Sequence, residues 1–139
     1  MSSAALYTPA VLGLATSLAR YPLSDDLTLR GSARSATCGS TIELGLDCGA
    51  DQAITRLGLR ASACAIGQAA AAIFAQHAAG LSRREIKQGY AQVEAWLVGG
   101  ALPAWPGLAE IAAARDYPAR HGAVLLAWRA ALVAMPGSR

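Results

Sequence analysis

The sequence predicts an α+β fold, in which a small three-stranded antiparallel sheet packs against about four to five helices. Apolar and polar side chains alternate over residues 41–47 and again over residues 53–60, with turn residues between them. Such an alternation is typical of half-buried strands joined by a turn. After Cys64 the apolar residues recur at helical spacing instead. The 139 residues are expected to form a single domain, residues 1–139.

The first half of the chain supplies one helix and the rest of the sheet. A helix is predicted over residues 6–20, because Thr8 can cap it and Pro9 stands at the first position, where proline is favoured. Pro22 ends this helix. A weaker alternation over residues 27–33 predicts the third strand of the sheet.

The second half of the chain is predicted to be helical. Ser82 and Glu85 form a capping box, which is a strong local signal for the start of a helix. Gly80 and the pair Gly99–Gly100 end helices. Residues 116–120 are expected to be extended and to lead into the last helix. The helices of this half are predicted over residues 66–79, 82–97, 107–115 and 121–134.

Composition and charge argue against several classes of function. The net charge is +3, and the arginines are scattered from Arg20 to Arg139 without a basic block, so no nucleic-acid partner is expected. No apolar run approaches the roughly 20 residues of a membrane span. No signal peptide is recognised. Three cysteines are a poor disulfide framework, and together these features favour the cytosol, where thiols stay reduced.

The predicted hairpin brings two cysteines together. Cys38 and Cys64 flank the hairpin and are expected at one end of the sheet, whereas Cys48 lies in the turn at the other end. Cys64 also precedes a helix, whose free N–H groups favour an anion. His121 begins the last helix. If that helix starts near the two cysteines, two thiolates and an imidazole converge, which suits zinc or an iron site completed by sulfide.

Each of these residues also has a structural interpretation. Cys38 and Cys64 can be small buried side chains, and His121 can serve in hydrogen bonding. His77 is expected at a helix end on the surface, and Cys48 is expected to be an exposed thiol. Arg120 is either a cation in the wall of the site, paired with an anionic cluster or an acidic partner, or a residue whose stem covers apolar surface.

A set of ordered motifs resembles the iron–sulfur cluster assembly scaffold family, of the IscU, SufU and NifU N-terminal-domain type. The motifs are Thr37–Cys38–Gly39, Ala63–Cys64 followed by a helix, Tyr117–Pro118–Ala119–Arg120 and Leu126–Ala127–Trp128. The resemblance covers nearly the whole chain, from Leu6 to Trp128, and its C-terminal part is most like the SufU branch. It implies an IscU/SufE-like fold, with a cluster or zinc bound at one end of the sheet. It also implies sulfur supply by a cysteine desulfurase and transfer of the cluster to apo iron–sulfur acceptor proteins.

The chain departs from the family pattern at the implied site. By position, Cys38 and Cys64 correspond to the first two family cysteines. Ser40 stands where the family has an aspartate ligand, and Ala123 stands where it has the third cysteine. The neighbouring histidine or lysine of the family is Gly122 here. His121, two positions before Ala123, is the candidate replacement for the missing ligand.

Three hypotheses of function follow. The first is a variant scaffold or carrier, not an enzyme, which holds a labile [2Fe–2S] cluster, or alternatively zinc, through Cys38, Cys64 and His121. A homodimer sharing one cluster would supply the missing ligands. The second is a sulfur relay, hence a sulfurtransferase, in which Cys38 or Cys64 carries a persulfide from a desulfurase. The third is a degenerate homologue that only binds a partner.

Overall fold

The computed structural model describes residues 6–137 and has the predicted α+β architecture. Its three antiparallel strands follow one another in space as in sequence, in the order β1–β2–β3. Within the described residues, no helix is both long and apolar enough to cross a membrane. The elements are α1 (Pro9–Ser17), β1 (Leu29–Arg34), β2 (Thr41–Cys48), β3 (Ile54–Ser62), α2 (Ala65–His77), α3 (Arg83–Leu97) and α4 (His121–Ala134), with 3₁₀ helices at Leu18–Arg20, Leu108–Asp116 and Pro118–Arg120.

Two of the predicted helix starts are confirmed by their caps. The Thr8 hydroxyl accepts a hydrogen bond from the Val11 N–H at 3.1 Å. Ser82 and Glu85 form the expected capping box. The last helix spans the predicted residues 121–134. The first helix is shorter than predicted, because its final turn tightens into the 3₁₀ helix at Leu18–Arg20.

The prediction of an extended segment over residues 116–120 is wrong. Pro118 begins a 3₁₀ turn, and the Arg120 N–H donates to the Tyr117 carbonyl at 2.8 Å. Proline is pre-organised for the first position of a helix, and here it starts a turn that leads directly into α4. The segment before it, predicted as a short helix over residues 107–115, is a 3₁₀ helix with a kink at Ile111.

The core lies on one face of the sheet, where α4 packs directly on β1. A Cβ at Gly31 would overlap the carbonyl oxygen of Ala130, so this close approach requires glycine. A Cβ at Gly122 would lie 2.5 Å from the Ser35 hydroxyl. Since Gly31 lies within β1 and Ser35 just after it, α4 runs antiparallel to β1. The start of α4 therefore lies against the residues that lead into Cys38.

Part of the opposite face of the sheet is covered by the segment that follows α1. Gly45 and Gly58 are paired across β2 and β3, and a Cβ at Gly58 would overlap the Pro22 carbonyl. The Thr28 N–H donates to the Asp47 carboxylate at 2.9 Å, and this bond, together with those from the Thr28 hydroxyl and Arg56, lowers the pKa of Asp47 to about 2. These contacts hold the segment against the half of the sheet that ends in the Cys48 turn, away from the end at which Cys38 and Cys64 leave it.

Candidate functional site

The strand register brings Cys38 and Cys64 to the same end of the sheet, as predicted. Thr41 at the start of β2 is paired with Ser62 at the end of β3, so the chain segments carrying the two thiols leave the sheet side by side. Cys48 is paired with Ile54 at the opposite end. We refer to the residues around Cys38 and Cys64 as the cysteine end.

Cys38 is presented by a closed loop between β1 and β2. The Ser35 N–H donates to the Ser40 carbonyl at 2.8 Å, and the Gly39 N–H donates to the Ser35 carbonyl at 2.9 Å. Gly39 has a φ of 70°, a left-handed conformation that glycine adopts without strain. The side chains of Ser35 and Ser40 are buried beneath the loop, while Cys38 is exposed. The loop thus places a thiol in solvent above two buried hydroxyls.

Both hydroxyls are hydrogen-bonded to the thiol of Cys38. Its Sγ donates to the Ser35 Oγ at 3.3 Å and lies 3.1 Å from the Ser40 Oγ. The hydrogen bond with Ser35, followed by that with Ser40, lowers the pKa of Cys38, and the charge of Arg120 adds to this effect. Partial burial opposes it only in part. Cys38 is therefore more readily ionised than Cys48, whose pKa is raised by burial and by the charges of Asp47 and Asp51.

Cys64 lies at the start of α2 and meets Arg120. It is the N-cap residue of α2, is half-buried, and does not cap the helix through its side chain. A side-chain hydrogen bond with Cys64 raises the pKa of Arg120, and the charges of Cys64, Tyr7 and Cys38 act in the same direction. One guanidinium is therefore within electrostatic reach of both thiols.

The start of α4 closes the site between the two cysteines. The Thr37 hydroxyl donates to the Ala119 carbonyl at 3.2 Å, which ties the Cys38 loop to the turn before α4. Ala123 is buried, and its Cβ lies 3.3 Å from where a Cβ at Gly67 would be, in the first turn of α2. The position at which the resemblance places a third cysteine therefore adjoins the helix that Cys64 begins.

His121 is hydrogen-bonded to the backbone before α4, and no hydrogen bond joins it to either thiol among the described residues. Its Nε2 lies 3.0 Å from the Arg115 carbonyl oxygen, and its ring lines an open cleft of about 570 Å³ with Asp116 and Pro118. Successive helix positions are about 100° apart, so His121 and Ala123 leave α4 in widely different directions. Within residues 6–137, no three His, Cys, Asp or Glu side chains are grouped so as to hold a metal ion. The Cys38/Cys64/His121 ligand set stays a prediction.

Ser35 is a site residue that the sequence patterns did not single out. It is almost fully buried, and a buried serine in a loop follows no strand or helix period. Its only sequence signal is its place in the small-residue run around Cys38 and Gly39. Of the other candidates, His77 is exposed at the end of α2, as predicted. Cys48, predicted to be exposed in the turn, is instead half-buried at the end of β2.

Alkylation rates are expected to separate Cys38 from Cys48. In a Cys48→Ser, Cys64→Ser variant, Cys38 should react with iodoacetamide with a pH midpoint below that of an ordinary thiol. In a Cys38→Ser, Cys64→Ser variant, the Cys48 midpoint should lie above it, because only the thiolate reacts. Replacing Ser35 by alanine should move the Cys38 midpoint upward. Equal midpoints for Cys38 and Cys48 would show that the buried hydroxyls do not stabilise the thiolate.

Comparison with known proteins identifies the fold. No protein-family model and no curated protein matches the sequence. Among solved structures, the N-terminal part of a nitrogen-fixing NifU-like protein from Brucella abortus has a TM-score of 0.82 at 24% identity, over 94% of this chain and 92% of that one.

A second structure comes from thermophilic Fervidobacterium islandicum AW-1 and is described as an iron–sulfur cluster assembly scaffold protein for the SUF system. Its TM-score is 0.84 at 17% identity, over 96% of this chain and 98% of that one. A protein of undescribed function, solved at 2.3 Å, has a TM-score of 0.73 at 21% identity, over 89% and 95% of the two chains. The chain therefore has the fold of NifU-like N-terminal domains and SufU-type scaffold proteins, in agreement with the resemblance of its motifs.

Proposed function

We propose that this protein acts in iron–sulfur cluster assembly, as a scaffold or carrier that holds its cargo at Cys38 and Cys64. The observation that carries the proposal is that the strand register brings two thiols to one end of the sheet, with Arg120 within electrostatic reach of both. The shared fold supports the same assignment, because one of the similar structures is described as a scaffold for cluster assembly. The cysteine desulfurase that supplies sulfur and the apo acceptor proteins are the partners this function needs, and the cytosol is its expected compartment.

The cargo that fits this proposal is a labile [2Fe–2S] cluster. Such clusters are usually held by four cysteine thiolates, whereas the cysteine end of one chain offers two. Two copies of the chain, each contributing Cys38 and Cys64, complete the set, and His121 or a partner's side chain is the alternative source. Zinc also takes four ligands in structural sites and is the alternative metal.

Anaerobic reconstitution with ferrous iron and sulfide tests the proposal. Wild type is expected to retain iron and acid-labile sulfide, and the Cys38→Ser and Cys64→Ser variants to lose at least about 10-fold of both, since the loss of a ligand should cost no less than the loss of a residue that supports one. Cys48→Ser is the matched control, since that thiol lies at the opposite end of the sheet. Loaded wild type should also elute as a dimer. Equal iron and sulfide in all four proteins would contradict the proposal.

The His121 ligand has its own test within this experiment. If His121 is a ligand, His121→Ala loses iron and sulfide as the cysteine variants do. If two copies share the cluster through Cys38 and Cys64 alone, His121→Ala stays loaded and dimeric.

A sulfur relay is the second candidate, and the exposed thiol of Cys38 above Ser35 and Ser40 favours it. A readily ionised, accessible thiol is a good sulfur nucleophile. The protein would then be a sulfurtransferase. After incubation with a desulfurase and cysteine, mass spectrometry should find one added sulfur atom on Cys38. Absence of that adduct, while iron and sulfide still bind, would leave the scaffold function alone.

A further inference from the structure

We infer that Arg120 selects the cargo of the cysteine end, because its guanidinium favours a sulfur group that carries negative charge over a bare divalent cation. The inference deepens the proposed function and rests on it. It concerns the chemistry shared by a Cys38 persulfide and by a thiolate-bound iron–sulfur cluster, which are both anionic.

The backbone at Arg120 is fixed against the Cys38 loop. The Arg120 N–H donates to the Tyr117 carbonyl at 2.8 Å, and the preceding carbonyl, of Ala119, accepts from the Thr37 hydroxyl at 3.2 Å. Two residues on, Gly122 touches Ser35, which in turn contacts the Cys38 thiol. Arg120 therefore cannot drift far from the thiols without breaking contacts on both of its sides.

The side chain of Arg120 lies within electrostatic reach of the two thiols. It is half-buried, and its interaction with Cys64, followed by the charges of Tyr7 and Cys38, raises its pKa. A guanidinium presents five N–H donors and no acceptor, so it can bind an anion but cannot ligate a metal ion. A cation that entered between the two thiols would meet the positive charge of Arg120.

Two positions at which the resemblance places ligands add no negative charge here. The resemblance places an aspartate at the Ser40 position and a cysteine at the Ala123 position, and both residues are neutral here. Both are also buried, so they define the wall of the site. Two thiols and a guanidinium remain, which is a poor ligand set for a bare divalent ion, since catalytic and structural zinc sites use three or four protein ligands.

The same arrangement suits sulfur that arrives as a persulfide. The Cys38 thiolate attacks the outer sulfur of the donor persulfide, the S–S bond of the donor breaks, and the donor leaves as a thiolate. A new S–S bond forms on Cys38, so one S–S bond replaces another and no oxidant or reductant is consumed. The outer sulfur loses its proton to water, and the resulting anion is the group that Arg120 binds.

Two titrations of the same variants test the inference. Reduced wild type, Arg120→Gln and Arg120→Lys are incubated with glutathione persulfide, and the Cys38 adduct is quantified by mass spectrometry. In parallel, Co²⁺ affinity is measured from thiolate-to-metal absorption. Arg84→Gln, which removes an exposed arginine on α3, is the matched control. Circular dichroism and thermal unfolding verify that each variant is folded.

Opposite changes are expected for the two ligands. Arg120→Gln should retain about 10-fold less persulfide and bind Co²⁺ about 10-fold more tightly, the size of one charge-assisted hydrogen bond lost or one repulsion removed. Arg120→Lys and Arg84→Gln should remain close to wild type. A merely structural role of Arg120 would weaken both ligands together, and that result would overturn the inference.

The remaining outcomes separate the inference from the proposed function. If wild type takes up persulfide, or iron with sulfide, and Arg120→Gln does so equally with unchanged Co²⁺ affinity, the inference fails and the proposed function stands. If no protein in the set takes up persulfide or retains iron and sulfide, the proposed function fails, and the inference fails with it.

Discussion

Replacing Ala123 by cysteine is expected to convert the cysteine end into a three-thiol site that binds Co²⁺ or Zn²⁺ on the order of 100-fold more tightly than wild type. The buried Cβ of Ala123 faces Gly67 in the first turn of α2, which Cys64 begins. Structural zinc sites bind with about 10–16 kcal/mol through four ligands, so one further thiolate contributes roughly 3 kcal/mol, about a 100-fold gain.

Ala127→Cys is the matched control for this gain. Ala127 is also buried on α4, but it lies one helical turn, about 6 Å, further from the start of the helix. Both variants add a buried thiol, and only Ala123→Cys adds it beside Cys64. Metal titration followed by absorption measures the difference. Equal affinities in the two variants would show that the start of α4 does not supply a third ligand position.

Replacing Trp128 by alanine is expected to lower the free energy of unfolding by about 3–5 kcal/mol, a large part of the stability of an ordinary domain. Trp128 on α4 is fully buried, and its ring centroid lies 5.2 Å from that of Phe74 and 5.1 Å from that of Trp105. It therefore joins α4 to α2 and to the segment after α3. Urea unfolding should show a lower midpoint with the slope retained.

Phenylalanine substitutions refine this test, because the two tryptophans differ in hydrogen bonding. The Trp105 Nε1 donates to the Ile73 carbonyl at 3.0 Å. Among the described residues, the buried Trp128 Nε1 finds no acceptor. Trp105→Phe therefore loses a hydrogen bond worth about 0.5–1.5 kcal/mol that Trp128→Phe does not lose. A larger loss of stability for Trp128→Phe than for Trp105→Phe would contradict this account of the core.

The strands, and the position of Cys38 and Cys64 at the same end of the sheet, are predictable from the sequence because both follow from the spacing of residues along the chain. Alternation defines β2 and β3, and an antiparallel pair joined by a short turn returns its flanking residues, Cys38 and Cys64, to the same end. The range of α4 was predicted correctly, but the direction of its first side chains was not predictable from spacing. The 3₁₀ turn at Pro118–Arg120 leads directly into α4, and the His121 ring is hydrogen-bonded to the Arg115 carbonyl.

The remaining site features depend on tertiary contacts that leave no periodic signal. Ser35 matters because the loop folds it beneath Cys38, and Gly122 matters because Ser35 lies against it. Arg120 has two equally reasonable interpretations in the sequence, and its electrostatic interaction with Cys64 and Cys38 supports that of a cation in the site wall.

The most direct test of the central claim is the content of iron and acid-labile sulfide in protein purified without oxygen, recorded with its visible absorption spectrum. We expect wild type and Cys48→Ser to contain both, with visible charge-transfer bands, and Cys64→Ser to contain neither. Iron and sulfide contents that are unchanged in Cys64→Ser would contradict the claim that the cysteine end carries the cargo.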